Sequence, residues 1–183
     1  MNMRFVRVPL ALLALVFVSA LGLKYPDLPD SEMTPGVACP TVTVEMLSHA
    51  GYTAEVRANG TADGKKITDA VKQQVYAEYH ITSHPAGDYE VDHLISLELG
   101  GSNDIRNLWP QPYQGKWNAH MKNRLENELH KRVINHEMTL ADAQKEISTN
   151  WVALYLKIYP EDVTPNPVSP QDNAEPDNEG DGK

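Results

Sequence analysis

Between Trp117 and Asn135 the apolar residues Met121, Leu125, Leu129 and Val133 recur every fourth position, which lines them along one face of an α-helix and sets that face against a core. A second stripe follows between Leu140 and Tyr159, where Ala143, Ile147, Trp151, Leu154 and Ile158 share a face and Thr139 is available as the cap. Pro160, Pro165, Pro167 and Pro170 then stop the helix, because proline has no amide hydrogen and clashes with the preceding turn.

Upstream the pattern is weaker. Short helices are expected from Thr43 to His49 and from Ile67 to Tyr79, the latter on a partial helical period of Ile67, Ala70, Val71, Gln74, Val75 and Glu78. A short strand is expected from Gly51 to Arg57. Asp88 to Leu99 alternates in part, with Tyr89, Val91, His93, Ile95 and Leu97 on one side. Gly100-Gly101-Ser102-Asn103-Asp104 then supplies turn residues, so a hairpin or a strand entering a wide loop fits.

A chain of 183 residues has room for one domain and little more. Residues 1–20 read as a signal peptide: Arg4 and Arg7 lead into an apolar run from Val8 to Leu23, with small residues at Val18-Ser19-Ala20. Cleavage after Ala20 would release a periplasmic or secreted protein with no stable membrane association. The alternative is an uncleaved N-terminal anchor. Residues 21–40 form an irregular, proline-rich lead-in expected to lie over the surface, residues 41–160 the domain, and residues 161–183 an acidic tail without the apolar residues needed to order it.

Cys39 is the only cysteine, which excludes an intramolecular disulfide and a cysteine zinc cluster. It is expected to be a free or buried thiol. The net charge of −9 argues against a polyanionic ligand until it is divided by region. The stretch from Glu161 carries −6 and the export segment +2, which leaves −5 on the body, yet Arg106 to Arg132 holds six basic residues against Glu126 and Glu128. Local charge governs phosphate contact more than the total does.

The informative residues come in three ordered blocks: Tyr89-Glu90-Val91-Asp92-His93-Leu94-Ile95, then Gly100-Gly101-Ser102-Asn103-Asp104-Ile105-Arg106-Asn107-Leu108-Trp109-Pro110-Gln111, then Trp117-Asn118-Ala119-His120-Met121-Lys122-Asn123-Arg124-Leu125-Glu126. This order resembles the ββα-metal motif of HNH (His-Me finger) endonucleases. The span from about Gly36 to Trp151 is similar to small exported bacterial proteins of that family. The resemblance implies an α+β fold, with a ββα-metal motif embedded in a mainly helical small domain.

It also implies roles. His93 would be the general base, Asp92 a metal ligand, and Asn107 the residue that orients the histidine and its hairpin. Asn118 would be the second ligand, with Glu126 accepting from metal-bound water, while His120 and Asn123 are alternatives for the helix ligand. Arg106, Lys122 and Arg124 would hold flanking phosphates. The chemistry is coherent, since a neutral imidazole can deprotonate water and a carboxylate with a neutral oxygen suits Mg²⁺, or else Mn²⁺. Because Asp92 and His93 would point to opposite faces of an ideal strand, a turn or bulge is expected to bring them into one site. The substrate implied is nucleic acid, DNA favoured over RNA.

Each residue alone also has an ordinary structural reading: Asp92-His93 as a hydrogen-bonded pair, Asn107 as a turn former, Asn118 as a helix cap. Trp109, Trp117 and Trp151 are expected to pack in the core or under loops. The remaining histidines, His49, His80, His84, His130 and His136, lack the spacing of a second metal site. The alternative function is a non-catalytic exported binding protein on the same scaffold, and a further one is a toxin-like effector.

Overall fold

A computed structural model describes residues 28–163. The expected signal peptide and the tail beyond Val163 lie outside the described residues. The chain forms a small mixed α+β domain in which a short antiparallel hairpin packs against several helices. In order these are α1 (Val44–Leu47), α2 (Tyr52–Asn59), α3 (Asp69–Glu78), β1 (Tyr89–His93), β2 (Leu108–Pro112), α4 (Ala119–Ile134) and α5 (Leu140–Ile158). Single 3₁₀ turns lie at Leu97–Leu99, Ile105–Asn107 and Pro160–Val163.

The helices begin where side chains replace missing backbone acceptors. Thr68 Oγ1 accepts from the Val71 amide, Asn118 Oδ1 from Met121, and Thr139 Oγ1 from Asp142. Both apolar stripes read from the sequence meet here. Leu125, Leu129 and Val133 of α4 are completely buried against Ala143, Ile147 and Trp151 of α5, and Leu94, Ile95 and Leu99 close the same core from the loop after β1. Each such side chain contributes about 1.5–3 kcal/mol of burial, which outweighs the weak intrinsic helicity of either segment alone. A kink in α5 falls at Asn150, whose Oδ1 caps the following turn by accepting from Ala153 N at 2.9 Å. Trp109 and Trp151 are buried, and Trp117 packs edge-on against Trp151.

One expectation needs correction. The segment from Gly51 to Arg57 is helical, entering α2 from a left-handed Gly51 at φ 93° and burying only Val56. A surface helix with one fully buried side chain leaves no clear period in the sequence. The described part of the lead-in is irregular and lies mostly at the surface, fastened to the domain at a few points. Thr34 is buried and donates to Leu108 O at 2.9 Å, Ala38 bridges Gly101, and Cys39 N donates to Gly100 O at 2.8 Å. Burial pushes the Cys39 thiol's pKa up, as suits an inert core thiol. Among the described residues no helix is long and apolar enough to cross a membrane.

Candidate functional site

The hairpin's wide loop, from Leu94 to Asn107, is held open by a tight inner turn. Gly100 is left-handed at φ 72°, and a Cβ on Gly101 would lie 1.7 Å from Ile95 O, so the double glycine is a requirement of close backbone packing. Asn107 braces the result. Its Oδ1 accepts from Ile95 N at 2.9 Å and Val37 N at 3.2 Å, and its Nδ2 donates to Ile95 O and Ser102 O, both at 2.9 Å. The amide's full hydrogen-bonding capacity is thus spent, in complete burial, on backbone groups, tying the chain just after His93 to Val37 and Ser102.

His93 closes β1 opposite Leu108, and the ladder is unbroken from Tyr89↔Pro112 to His93↔Leu108. No bulge brings Asp92 and His93 to one point, contrary to expectation. Their side chains leave opposite faces of the strand, the carboxylate toward α4 and the imidazole toward Asn103. His93 Nε2 lies 2.7 Å from Asn103 Oδ1. Asn103 is itself oriented, its Nδ2 donating to Lys65 O at 3.0 Å and its backbone N to Thr61 Oγ1 at 3.2 Å. With the amide nitrogen committed to a carbonyl, Asn103 presents an acceptor to the imidazole, so Nε2 carries the proton and Nδ1 holds the lone pair. Burial lowers the His93 pKa; Asp92 and the Asn103 bond oppose this, while the charges of Lys122 and Arg57 add to it. The net effect favours the neutral ring.

The segment that orients Asn103 is the connection between α2 and α3. Asp63 accepts from Thr61 and Ser102, and Asp104 accepts from Lys65 and from both Arg106 Nε and Nη2. These bonds fasten residues 61–65 to residues 102–106. The guanidinium partner holds the Asp104 carboxyl well below the usual range.

On the other face of β1 the Lys122 ammonium is fully buried. It donates to Asp92 Oδ2 and to His93 O, each at 2.6 Å, and to Glu126 Oε1 one helical turn away. Burial pushes the Glu126 carboxyl up to about 8; burial pulls the Lys122 ammonium down, but Asp92 and Glu126 together outweigh it and push it up. The two directions agree: two acids around one base carry an excess negative charge, which one further proton removes.

The expected metal donors do not fit a metal in this arrangement. Asp92 is bonded to Lys122, and Asn118 spends its Oδ1 capping α4 while its Nδ2 donates to Gly115 O at 3.1 Å. Of the alternatives, His120 is exposed with its ring 6.1 Å from that of Tyr113, and Asn123 is exposed on the outer side of α4. Among the described residues no group of three or more His, Cys, Asp or Glu is placed to hold a metal. Glu126 is buried on Lys122, so it faces an ammonium where a metal-bound water was expected.

The cations expected at phosphates are paired as well. Lys122 is out of reach of solvent. Arg106 is exposed but forks onto Asp104. Arg124 lies over the Tyr159 ring at 3.7 Å and donates to Asp162 Oδ2 at 2.6 Å and Tyr155 Oη at 3.2 Å. Asn103 and Arg57 were missed by the sequence reading. Asn103 stood within a run of ordinary turn residues, and the exposed Arg57, whose charge reaches the His93 ring, stood in a segment read as a strand. No family model, no curated protein and no solved structure matches the chain.

Proposed function

We propose that this protein hydrolyses nucleic-acid phosphodiester bonds, with His93 as general base on a ββα unit of the HNH (His-Me finger) kind. The observation that carries this reading is the His93–Asn103 bond, which leaves a neutral imidazole with its basic Nδ1 unencumbered by that contact. The order of parts supports it: a strand ending in Asp92-His93, a glycine turn, an asparagine brace at Asn107, a return strand, and a helix begun by Asn118.

In the proposed step His93 Nδ1 takes a proton from water as the oxygen attacks phosphorus. The opposite P–O bond breaks, and the departing oxygen takes its proton from solvent. General-base assistance of this sort is worth about 10²–10⁴-fold. Asn107 and Asn103 act by positioning: the first fixes the backbone beyond His93, and the second fixes the ring and its tautomer. Arg57 is a cation whose charge, with that of Lys122, disfavours the protonated His93 ring. No step is routed through a metal. DNA is the proposed substrate ahead of RNA, read through its backbone, since phosphate contacts carry no sequence information. Export, proposed from the first twenty residues, would place the activity in the periplasm or outside the cell.

Conversion of supercoiled plasmid to nicked and linear forms tests the reading, with His93→Ala as the control. A second reading, a non-catalytic binding protein, draws support from the intramolecular pairing of Arg106, Lys122 and Arg124. It predicts no cleavage by either protein.

A further inference from the structure

We propose that the Lys122 ammonium stands as a built-in cation at the position where a divalent metal would otherwise be held, so that the Asp92–Glu126 site does not load Mg²⁺ or Mn²⁺. The inference deepens the hydrolase reading and rests on it for its catalytic meaning, but the cation site is defined by geometry alone. Three oxygens converge there: a carboxylate and a backbone carbonyl from the end of β1, and a second carboxylate from α4. Such hard oxygen donors are the kind that Mg²⁺ and Mn²⁺ select.

A cation already sits among them. An ammonium has three N–H groups, and Lys122 gives one to each oxygen. It is fully buried, whereas Mg²⁺ dehydrates reluctantly and keeps several waters that such a position would have to admit. Moving Lys122 aside to make room would leave Asp92 and Glu126 as unpaired buried acids, or carry the ammonium through the packed interior, and both are strongly unfavourable. The arrangement is written into α4. Lys122 and Glu126 are one turn apart, and Lys122 lies three and seven residues from the buried Leu125 and Leu129, on the side of the helix that faces the hairpin. With every N–H committed, Lys122 cannot itself bind a phosphate. It anchors α4 to the last residues of β1 and supplies a fixed positive charge one peptide from His93.

The test is Mn²⁺ binding to the full chain, read from loss of the free-ion electron paramagnetic resonance signal, for the wild type, Asp92→Asn and Lys122→Met, with circular dichroism confirming the fold of each. The wild type and Asp92→Asn should bind Mn²⁺ equally weakly. Lys122→Met, which withdraws the competing ammonium from the three oxygens, should gain a site at least about tenfold tighter. A wild-type site that Asp92→Asn abolishes would overturn the proposal, and so would a folded Lys122→Met that gains nothing. If Lys122→Met does not fold, the comparison of wild type with Asp92→Asn decides alone. A wild type that cleaves no nucleic acid in any buffer counts against the hydrolase reading and leaves the Mn²⁺ result standing.

Discussion

The Nε2 atom of His93 lies 2.7 Å from Oδ1 of Asn103, and the Asn103 amide is held in that orientation by the carbonyl of Lys65. One imidazole tautomer is therefore selected by a loop that enters the domain some thirty residues before His93. The bond also opposes the downward pull of burial on the His93 pKa.

Asn103 substitutions should move the pH profile in opposite directions. Asn103→Ala removes a contact that raises the His93 pKa, so the acid limb of the rate profile should shift to lower pH while turnover falls by roughly 10–100-fold as the tautomer is released. Asn103→Asp adds a negative charge beside the ring, so the limb should shift to higher pH. Rate measured against pH for both variants checks this. Loss of turnover without either shift would mark Asn103 as merely structural.

The buried cluster on the other side of β1 makes a stability prediction. Lys122→Met leaves Asp92 and Glu126 without their counter-charge and should cost about 3–5 kcal/mol in urea denaturation. Glu126 behaves differently. Its folded-state pKa of about 8 lies above the ordinary carboxyl value of 4.5. The folded state therefore holds its proton where the unfolded chain has lost it, so its contribution is complete below about pH 4.5 and is lost as pH rises through about 8. Glu126→Gln should flatten the fall in stability between those values. Parallel stability curves for the two proteins would contradict this.

Arg124 is held by Asp162 through a 2.6 Å bond that Tyr155 Oη shares. The pair is partly exposed, so Asp162→Asn should change stability by no more than about 1 kcal/mol. It should nonetheless release a positive charge toward solvent. Binding of a labelled DNA duplex, followed by fluorescence anisotropy, should tighten at low salt, and its salt dependence should steepen by up to about 0.9 in log–log slope. An unchanged slope would show that Arg124 takes no part in phosphate contact.

What the sequence made legible followed the physics of each element. The stripes of α4 and α5 and the Thr139 cap were readable because a local period sets both position and face. Asp92, His93 and Asn107 were readable as a set only through the resemblance to the HNH family, and the structure places all three at one end of the hairpin. Asn103 was not, because its partners, Thr61 and Lys65, are distant in sequence and reach it only through the docked connection between α2 and α3. Lys122 was read as a solvent cation although its position among Leu125, Glu126 and Leu129 already put it on the inner side of α4. A lysine there is buried only because two acids meet it, and the acid from β1 is a tertiary partner that no helical period reveals. The Gly51–Arg57 error has a similar origin, since a helix that fully buries Val56 alone carries almost no pattern.

The central claim is that His93 removes a proton from water, and its most direct test is the initial rate of plasmid nicking by wild type and His93→Ala, measured with Mg²⁺ and again with EDTA, alongside the melting temperature of each protein. Because Asn107, not the His93 ring, braces the loop, the variant should remain folded. Its rate should fall by roughly 10²–10⁴-fold. A folded His93→Ala protein that nicks DNA at the wild-type rate would contradict the account.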